Sequence, residues 1–254
     1  MLTNAEIKHI SSLKNKKERA ESKEFVVESE KLVAEAIASG FTIKMICYTG
    51  KVLPQIQTHH SAVEVDEKTM ERISLLSSPS PALAVVAFQI FSYENVINTL
   101  AQKSDSLCLA LDGVRDPGNL GTIIRLADWF GIDAVFASPG TVDVYNPKVV
   151  QATVGAIFRK KVIYCNLEDV ILKFSEAGAA VYGTFLEGKD IYKADVKKHA
   201  LVVMGSESDG ISSSLQKIIT DKLFIPPYPR DYSACESLNV AVATSIICFA
   251  FRKN

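Results

Sequence analysis

Two short apolar runs, 201–204 and 222–225, each lead through a polar loop into a helix-forming stretch. The first reads LVVMGSESDGIS and the second KLFIPPYPRDYSACESLNVAVA. Apolar runs of this length, bounded by glycine and proline, read as parallel strands covered on both faces. Parallel strands require crossover connections, so this feature restricts the fold more than any other. It also predicts where a ligand lies, because open α/β sheets bind at the carboxyl ends of their strands.

The rest of the chain fits that frame. Further strands read at 107–111, 133–137, 161–164 and 180–185, and helices at 119–130, 147–157, 167–177, 211–218 and 238–251. This alternation predicts a parallel α/β domain. Upstream, Ile7, Ile10 and Leu13 give helical spacing over 4–20, followed by the cluster Lys14, Lys16, Lys17 and Arg19. That cluster reads either as a solvated helix face or as a contact to RNA phosphates. A strand at Glu24–Val27, a helix over 30–39 ended by Gly40, and strands at 42–49, 62–65 and 82–88 follow. With helices at 67–74 and 93–102 they form a smaller α/β unit. The polar run AQKSDS (101–106) marks the division, giving domains 1–104 and 105–254.

Composition removes several function classes. No apolar run approaches the roughly 18 residues of a membrane helix, and the N-terminal segment lacks the uncharged core of a signal peptide. A cytoplasmic protein is the simplest reading. Cys47, Cys108, Cys165, Cys235 and Cys248 are scattered without a CxxC pair. The histidines stand apart from them, so no metal site is expected. The net charge of −1 is spread evenly over the chain. A partner nucleic acid would therefore meet local patches rather than a basic surface.

Three constellations could carry chemistry. In LDGVRDPGNLGTIIRLADWFG (111–131), a strand ends in a polar loop and a helix opens at Asn119. Gly121 and Arg125 stand one turn apart, away from the apolar stripe of Leu120, Ile123, Ile124 and Ala127. Asn119 could be a plain N-cap and Arg125 a surface partner of Asp128. The loop lacks the GxGxxG spacing of a dinucleotide fingerprint. In MGSESDGIS (204–212), Gly205 and Gly210 would let backbone N–H groups approach a ligand. Glu207 between them could bind a hydroxyl or cation, or cap the next helix. In IPPYPRDYSACESLNVAVA (225–243), Ser237 and Asn239 open an apolar helix, where either could be a cap. No GxSxG or nearby histidine supports a serine hydrolase.

Taken in order, Asn119-x-Gly121-x-x-x-Arg125, then Gly205-x-Glu207-x-x-Gly210, then Ile225-Pro226 with Ser237-Leu238-Asn239-Val240, resemble the signature motifs of a known family. It is the SpoU/TrmH family of RNA 2′-O-ribose methyltransferases, within the SPOUT superfamily. The likeness covers 105–254, where VVQATVGAIF (149–158) resembles the family's connecting helix. It extends more weakly upstream, where KEFVVESEKLVAEAIASG resembles the substrate-binding domain of many members.

The resemblance implies a deep trefoil knot built from the last strands and the C-terminal helix. It implies S-adenosylmethionine bent in that knot, held largely by backbone around Thr184, Phe185, Gly205, Ile225 and Leu238. It implies a homodimer in which Arg125 of one subunit reaches a site completed by the other. Transfer from a sulfonium is an in-line displacement that needs a positioned oxygen more than an acid. Arg125 is the family's proposed activator of the ribose hydroxyl. With a pKa above about 12 it acts as a cation that stabilises the forming alkoxide rather than as a base. Asn119, Glu207, Ser237 and Asn239 would orient ribose, arginine and cofactor.

Departures from the family pattern bear on substrate choice. The loop between Ile225-Pro226 and Ser237 is longer, and its usual glycine is replaced by PYPRDYSAC. Gln151 and Thr153 replace a common Arg and Ser, and Ser29 replaces the glycine of a VEG motif. Arg230 and Tyr232 in the longer loop could contact RNA by charge and stacking, or be plain surface. The sequence therefore predicts a two-domain enzyme, 1–104 gripping structured ribosomal or transfer RNA and 105–254 transferring the methyl group. The alternative is a non-catalytic RNA-binding or ribosome-assembly protein that keeps the knotted fold.

Overall fold

The computed structural model describes residues 2–228 and 236–253. In chain order the elements are α1 (Asn4–Ser12), α2 (Lys16–Ser22), β1 (Glu24–Glu28), α3 (Glu30–Ala38), β2 (Ile43–Tyr48), α4 (Pro54–Gln57), β3 (Ala62–Glu64), α5 (Glu67–Ile73), β4 (Ala82–Ala87) and α6 (Tyr93–Gln102). They continue with β5 (Leu107–Leu111), α7 (Pro117–Trp129), β6 (Val135–Ala137), α8 (Pro147–Thr153), β7 (Val162–Tyr164), α9 (Leu167–Glu176), β8 (Ala180–Phe185), β9 (Lys189–Asp190), β10 (Ala200–Met204), α10 (Ser213–Gln216), β11 (Asp221–Phe224) and α11 (Val240–Arg252).

The chain divides into two compact units, 1–90 with 143–159, and 91–142 with 160–254. This division differs from a single cut after residue 104 in two places. Ile97 and Ala101 of α6 are buried in the same apolar cluster as Cys108, Phe136 and Phe174, so α6 packs with the second sheet. The segment 143–159 packs with the first unit. Tyr145 stacks on Phe88 with ring centroids 3.9 Å apart, and the Gln151 side chain donates to the Glu28 carbonyl at 2.8 Å.

The first unit holds a four-stranded sheet in the order β1-β4-β2-β3. Its β4 runs antiparallel to both neighbours, and β2 pairs parallel with β3. The single helix expected over 4–20 is two. Leu13 is buried, and the Arg19 guanidinium takes the Leu13 and Lys14 carbonyls at 2.8 Å each, turning the chain between α1 and α2. The helix expected over 147–157 ends at Thr153, because Val154 and Gly155 adopt positive φ. Gly155, at φ 91°, adopts a conformation that favours glycine.

The second unit holds a seven-stranded sheet, β7-β6-β5-β10-β8-β11-β9, with every neighbouring pair parallel. Strands β5 and β10 are buried at every residue, as their unbroken apolar sequences require. From β5 the chain steps outward through β6 to β7, then fills the other side. The strand order therefore reverses between β5 and β10. Such a switch point opens a crevice at the carboxyl ends, because the connections on either side leave towards opposite faces. The two-residue β9 was not anticipated from the sequence, and α10 is shorter than the expected 211–218 helix. From β11 the chain returns to lay α11 against α7. The knot that the resemblance implies would involve the passage from β11 to α11, of which 229–235, with Arg230, Tyr232 and Cys235, lie outside the described residues.

Candidate active site

The loops after β5 and β10 meet at the switch point. Asp112, directly after β5, accepts from the Ser212 N–H at 2.8 Å through its carboxylate. The loop after β10 closes on itself by two backbone hydrogen bonds between Ser206 and Gly210, at 3.0 and 3.2 Å. A Cβ on Gly205 would come within 2.2 Å of the Gly210 carbonyl carbon. Gly205 is thus demanded by the packing of its own loop, which fixes where Glu207 stands.

Helix α7 begins earlier than the sequence reading placed it. Asp116 is its N-cap, its carboxylate accepting from the Asn119 N–H at 2.8 Å, and Pro117 occupies the first turn. An aspartate before proline is a start signal in its own right. The reading of Asn119 as a cap is thereby overturned, and its side chain is free for other bonds. It forms two. Asn119 Nδ2 donates to Glu207 Oε1 at 2.8 Å, and Asn119 Oδ1 accepts from Asn239 Nδ2 at 2.9 Å. Glu207 caps no helix; its other oxygen lies 3.4 Å from the Arg115 N–H. Asn239 is both cap and contact, since its Oδ1 accepts from Ala241 and Val242 N–H at 2.9 and 3.3 Å.

These bonds determine one another. The cap requires the Asn239 oxygen to face the helix N–H groups, so its NH₂ must face Asn119. The Asn119 oxygen must then accept, which leaves its NH₂ for the Glu207 carboxylate. Motif residues from three separate strand–helix connections therefore form one directed chain, Asn239 to Asn119 to Glu207, whose amide orientations follow from the network. Glu207 and Asn239 are exposed and Asn119 is half-buried, so the chain lines an open surface.

The other expected residues stand differently. Ser237 is exposed, two residues before the cap, and is not joined to the chain among the described residues. Arg125 lies on α7 six residues past Asn119, roughly 9 Å further along the axis and about 120° round it. It is exposed, and Asp128 pairs instead with Lys160 at 3.8 Å. Within one chain Arg125 does not join the Asn119–Glu207 chain. Thr184 and Phe185 end β8, Gly205 follows β10 and Ile225 follows β11, which places the four along the edge of three adjacent strands. Thr184 Oγ1 donates to the Val203 carbonyl at 3.3 Å. Leu186 beside them is 69 % exposed, and Leu238, before the Asn239 cap, is 49 % exposed. Apolar side chains left open beside strand-end backbone groups suit a flat heteroaromatic ring, with its edge read by the backbone.

Sequence reasoning missed Asp112, Asp116, Arg115 and Asp209. Arg115 pairs with Asp209 at 3.4 Å across the two loops. Asp116 was recoverable from the Asp-Pro pair. The other three carry no local signal, because their partners lie far away in sequence.

Comparison with known proteins adds an independent line. The SpoU rRNA Methylase family matches residues 106–249, and an MRM3-like substrate binding domain matches 4–84. The chain is 31 % identical over 252 residues to the 23S rRNA (guanosine(2553)-2′-O)-methyltransferase RlmP of Bacillus subtilis, covering 98 % of this chain and 96 % of that one. A TrmH-family protein from Porphyromonas gingivalis superposes with a TM-score of 0.87 at 38 % identity, over 100 % of this chain and 99 % of that one. An AdoMet-bound rRNA methyltransferase from Sinorhizobium meliloti gives 0.87 at 31 % identity, over 100 % and 96 %. Motifs, sheet order and full-length likeness agree, and the chain belongs to the SpoU/TrmH family of RNA methyltransferases, with the α/β fold of the SPOUT superfamily.

Proposed function

We propose that this protein transfers a methyl group from S-adenosylmethionine to a ribose 2′-hydroxyl of ribosomal RNA. The observation that carries the reading is the directed chain Asn239–Asn119–Glu207 at the switch point of a parallel sheet. Relatives named as 23S rRNA 2′-O-methyltransferases support ribosomal over transfer RNA.

Bound S-adenosylmethionine would supply an electron-poor methyl group, held against Thr184, Phe185, Gly205, Ile225 and Leu238. The chain's own residues would do the rest. Glu207 is a fixed acceptor for a ribose hydroxyl, and its orientation is set by Asn119 Nδ2 and the Arg115 N–H. The second Asn119 Nδ2 proton is a donor of fixed direction, because Asn239 holds the amide from the other side. Ser237 adds a hydroxyl near the cap. Arg125 stabilises the developing alkoxide as a permanent cation, which fixed charge does well where water is excluded.

Because Arg125 does not reach Asn119 within one chain, the site calls for a second copy. The same face of α7 supports this: Trp129, one turn beyond Arg125, is 86 % exposed. On the adjacent α11, Val242 and Phe249 are 51 % and 60 % exposed. Apolar side chains presented together by two packed helices fit a two-fold interface. In this reading the first unit binds RNA, the second catalyses, and the enzyme acts in the cytoplasm. Among the described residues no helix is long and apolar enough to cross a membrane.

Calorimetric titration with S-adenosylmethionine, followed by transfer of tritiated methyl to separate ribosomal and transfer RNA pools, tests the proposal. Binding with labelling of ribosomal RNA is the expected result. Absence of cofactor binding, or labelling of transfer RNA alone, would overturn it. Light scattering on wild type and Trp129→Glu tests the pairing, with a dimer expected for the first and a monomer for the second.

A further inference from the structure

We infer that the corner between α1 and α2, residues Lys14 to Lys17, is a docking surface for RNA phosphates; the inference rests on the reading of this protein as an RNA-modifying enzyme. Lys14, Asn15, Lys16 and Lys17 are all exposed, so three ammonium groups stand within four consecutive residues. The chain, of net charge −1, has one denser basic run, Arg159-Lys160-Lys161, but there Arg159 is paired with Glu35 and Lys160 with Asp128. Lys68, exposed on the same unit, stands instead among Asp66, Glu67 and Glu71.

Two observations separate this corner from an ordinary solvated run. The first is how it is held. Arg19 is only 2 % exposed, and its guanidinium spends two hydrogen bonds on the Leu13 and Lys14 carbonyls. Nε and Nη2 bond the Asp143 carboxylate at 3.0 and 2.6 Å. A buried ion pair gives little stability that apolar packing could not give. What it does give is a fixed path for the backbone that carries the lysines. The second is that the lysines do not serve their own helix. Lys16 and Lys17 occupy the first turn of α2, where the macrodipole disfavours cations, and Asn15 forms no side-chain cap. Lys17 has an acid within reach, Glu21 at 3.9 Å, an exposed pair of small worth. A local arrangement that costs the fold a little and is held by a buried arginine is the mark of a surface kept for a partner. Closely spaced lysines on a fixed backbone match the regular spacing of phosphates, read without base specificity.

The experiment measures binding of protein-free ribosomal RNA across a range of salt concentrations. It compares wild type, the triple variant Lys14→Gln/Lys16→Gln/Lys17→Gln, and Lys68→Gln as a control. Each phosphate contact contributes roughly 0.7–0.9 to the slope of log affinity against log salt. The triple variant should lose at least about tenfold in affinity at low salt and about 2 in that slope. Its melting temperature and S-adenosylmethionine affinity should match wild type, and Lys68→Gln should change neither affinity nor slope. Arg19→Lys, which keeps the charge and loses the fork, should weaken RNA binding with the lysines intact. Wild-type affinity and slope in the triple variant would overturn the inference. Failure of the wild type itself to bind RNA would overturn the parent reading and this one together.

Discussion

Replacing Asn239 by aspartate should separate the stability of the site from its chemistry. The side chain does two things: its oxygen caps α11 through Ala241 and Val242 N–H, and its NH₂ donates to Asn119. Aspartate keeps the cap, and its charge at a helix start adds about 0.3–1 kcal/mol. It loses the bond to Asn119, worth about 0.5–1.5 kcal/mol, and sets two acceptors face to face. These terms nearly cancel, so the melting temperature should move by no more than about 2–4 °C. Orientation suffers far more. To relieve the clash, Asn119 must turn its NH₂ towards position 239, which aims its oxygen at the Glu207 carboxylate. Loss of one oriented donor costs about 10²–10³ in turnover at sites of this kind. Asn239→Ala should behave in the opposite sense. It forfeits the cap, about 0.5–2 kcal/mol, yet leaves the Asn119–Glu207 bond undisturbed. Thermal melts and single-turnover methyl transfer at saturating cofactor would rank the variants. The aspartate variant should be the more stable and the less active of the two. Activities that simply follow stability would refute the argument that the chain acts through amide orientation.

Other consequences follow from particular residues. Arg125→Ala should abolish turnover while S-adenosylmethionine affinity stays close to wild type by calorimetry; strong residual turnover would remove Arg125 from the mechanism. Ser29 sits at φ 108° and ψ 147° where the family pattern has glycine, and its hydroxyl caps α3 by accepting from Leu32 N–H. Ser29→Gly should relieve strain of about 1–3 kcal/mol, less roughly 0.4–1 kcal/mol of unfolded-chain entropy and about a few tenths of a kcal/mol for the lost cap hydroxyl. Ser29→Ala keeps the strain and loses the cap, so melts should show the first variant stabilised and the second destabilised. Glu28 is 2 % exposed, and burial pushes its carboxyl above the ordinary value of 4.5 despite hydrogen bonds from Ser74 and the Leu75 N–H. At pH values between the unfolded and the folded value, its folded state therefore holds a proton that the unfolded state has released. Stability should fall as pH rises from about the ordinary carboxylate value through the folded one. Denaturant melts of Glu28→Gln should lack that slope.

The sheet of the second unit was legible because each of its long strands is an unbroken apolar run, and because each functional loop begins where such a run ends. The motif residues were legible for the same reason: Asn119, Glu207 and Asn239 all open or follow those elements. What the sequence hid was pairing. Asn119 suits a cap by sequence, yet Asp116 caps α7, and Asp112 and Asp209 find their partners only across the switch point. A break inside one helical pattern was also hidden, since the split at Leu13–Asn15 depends on Arg19, which Asp143 holds from far along the chain. The stop at Val154–Gly155, by contrast, carries a local signal in the glycine itself. The membership of α6 and of 143–159 in their respective units was decided by tertiary burial that no linear boundary can express.

The most direct test of the central claim is the chemical identity of the methylated product. Ribosomal RNA incubated with the enzyme and methyl-labelled S-adenosylmethionine would be hydrolysed in alkali and its nucleosides resolved. A methyl group on the ribose 2′-oxygen blocks cleavage at the adjacent phosphate, so the label should survive in an alkali-resistant dinucleotide and appear in a 2′-O-methylnucleoside. Label recovered on a base, in fully cleaved nucleotides, would contradict the account.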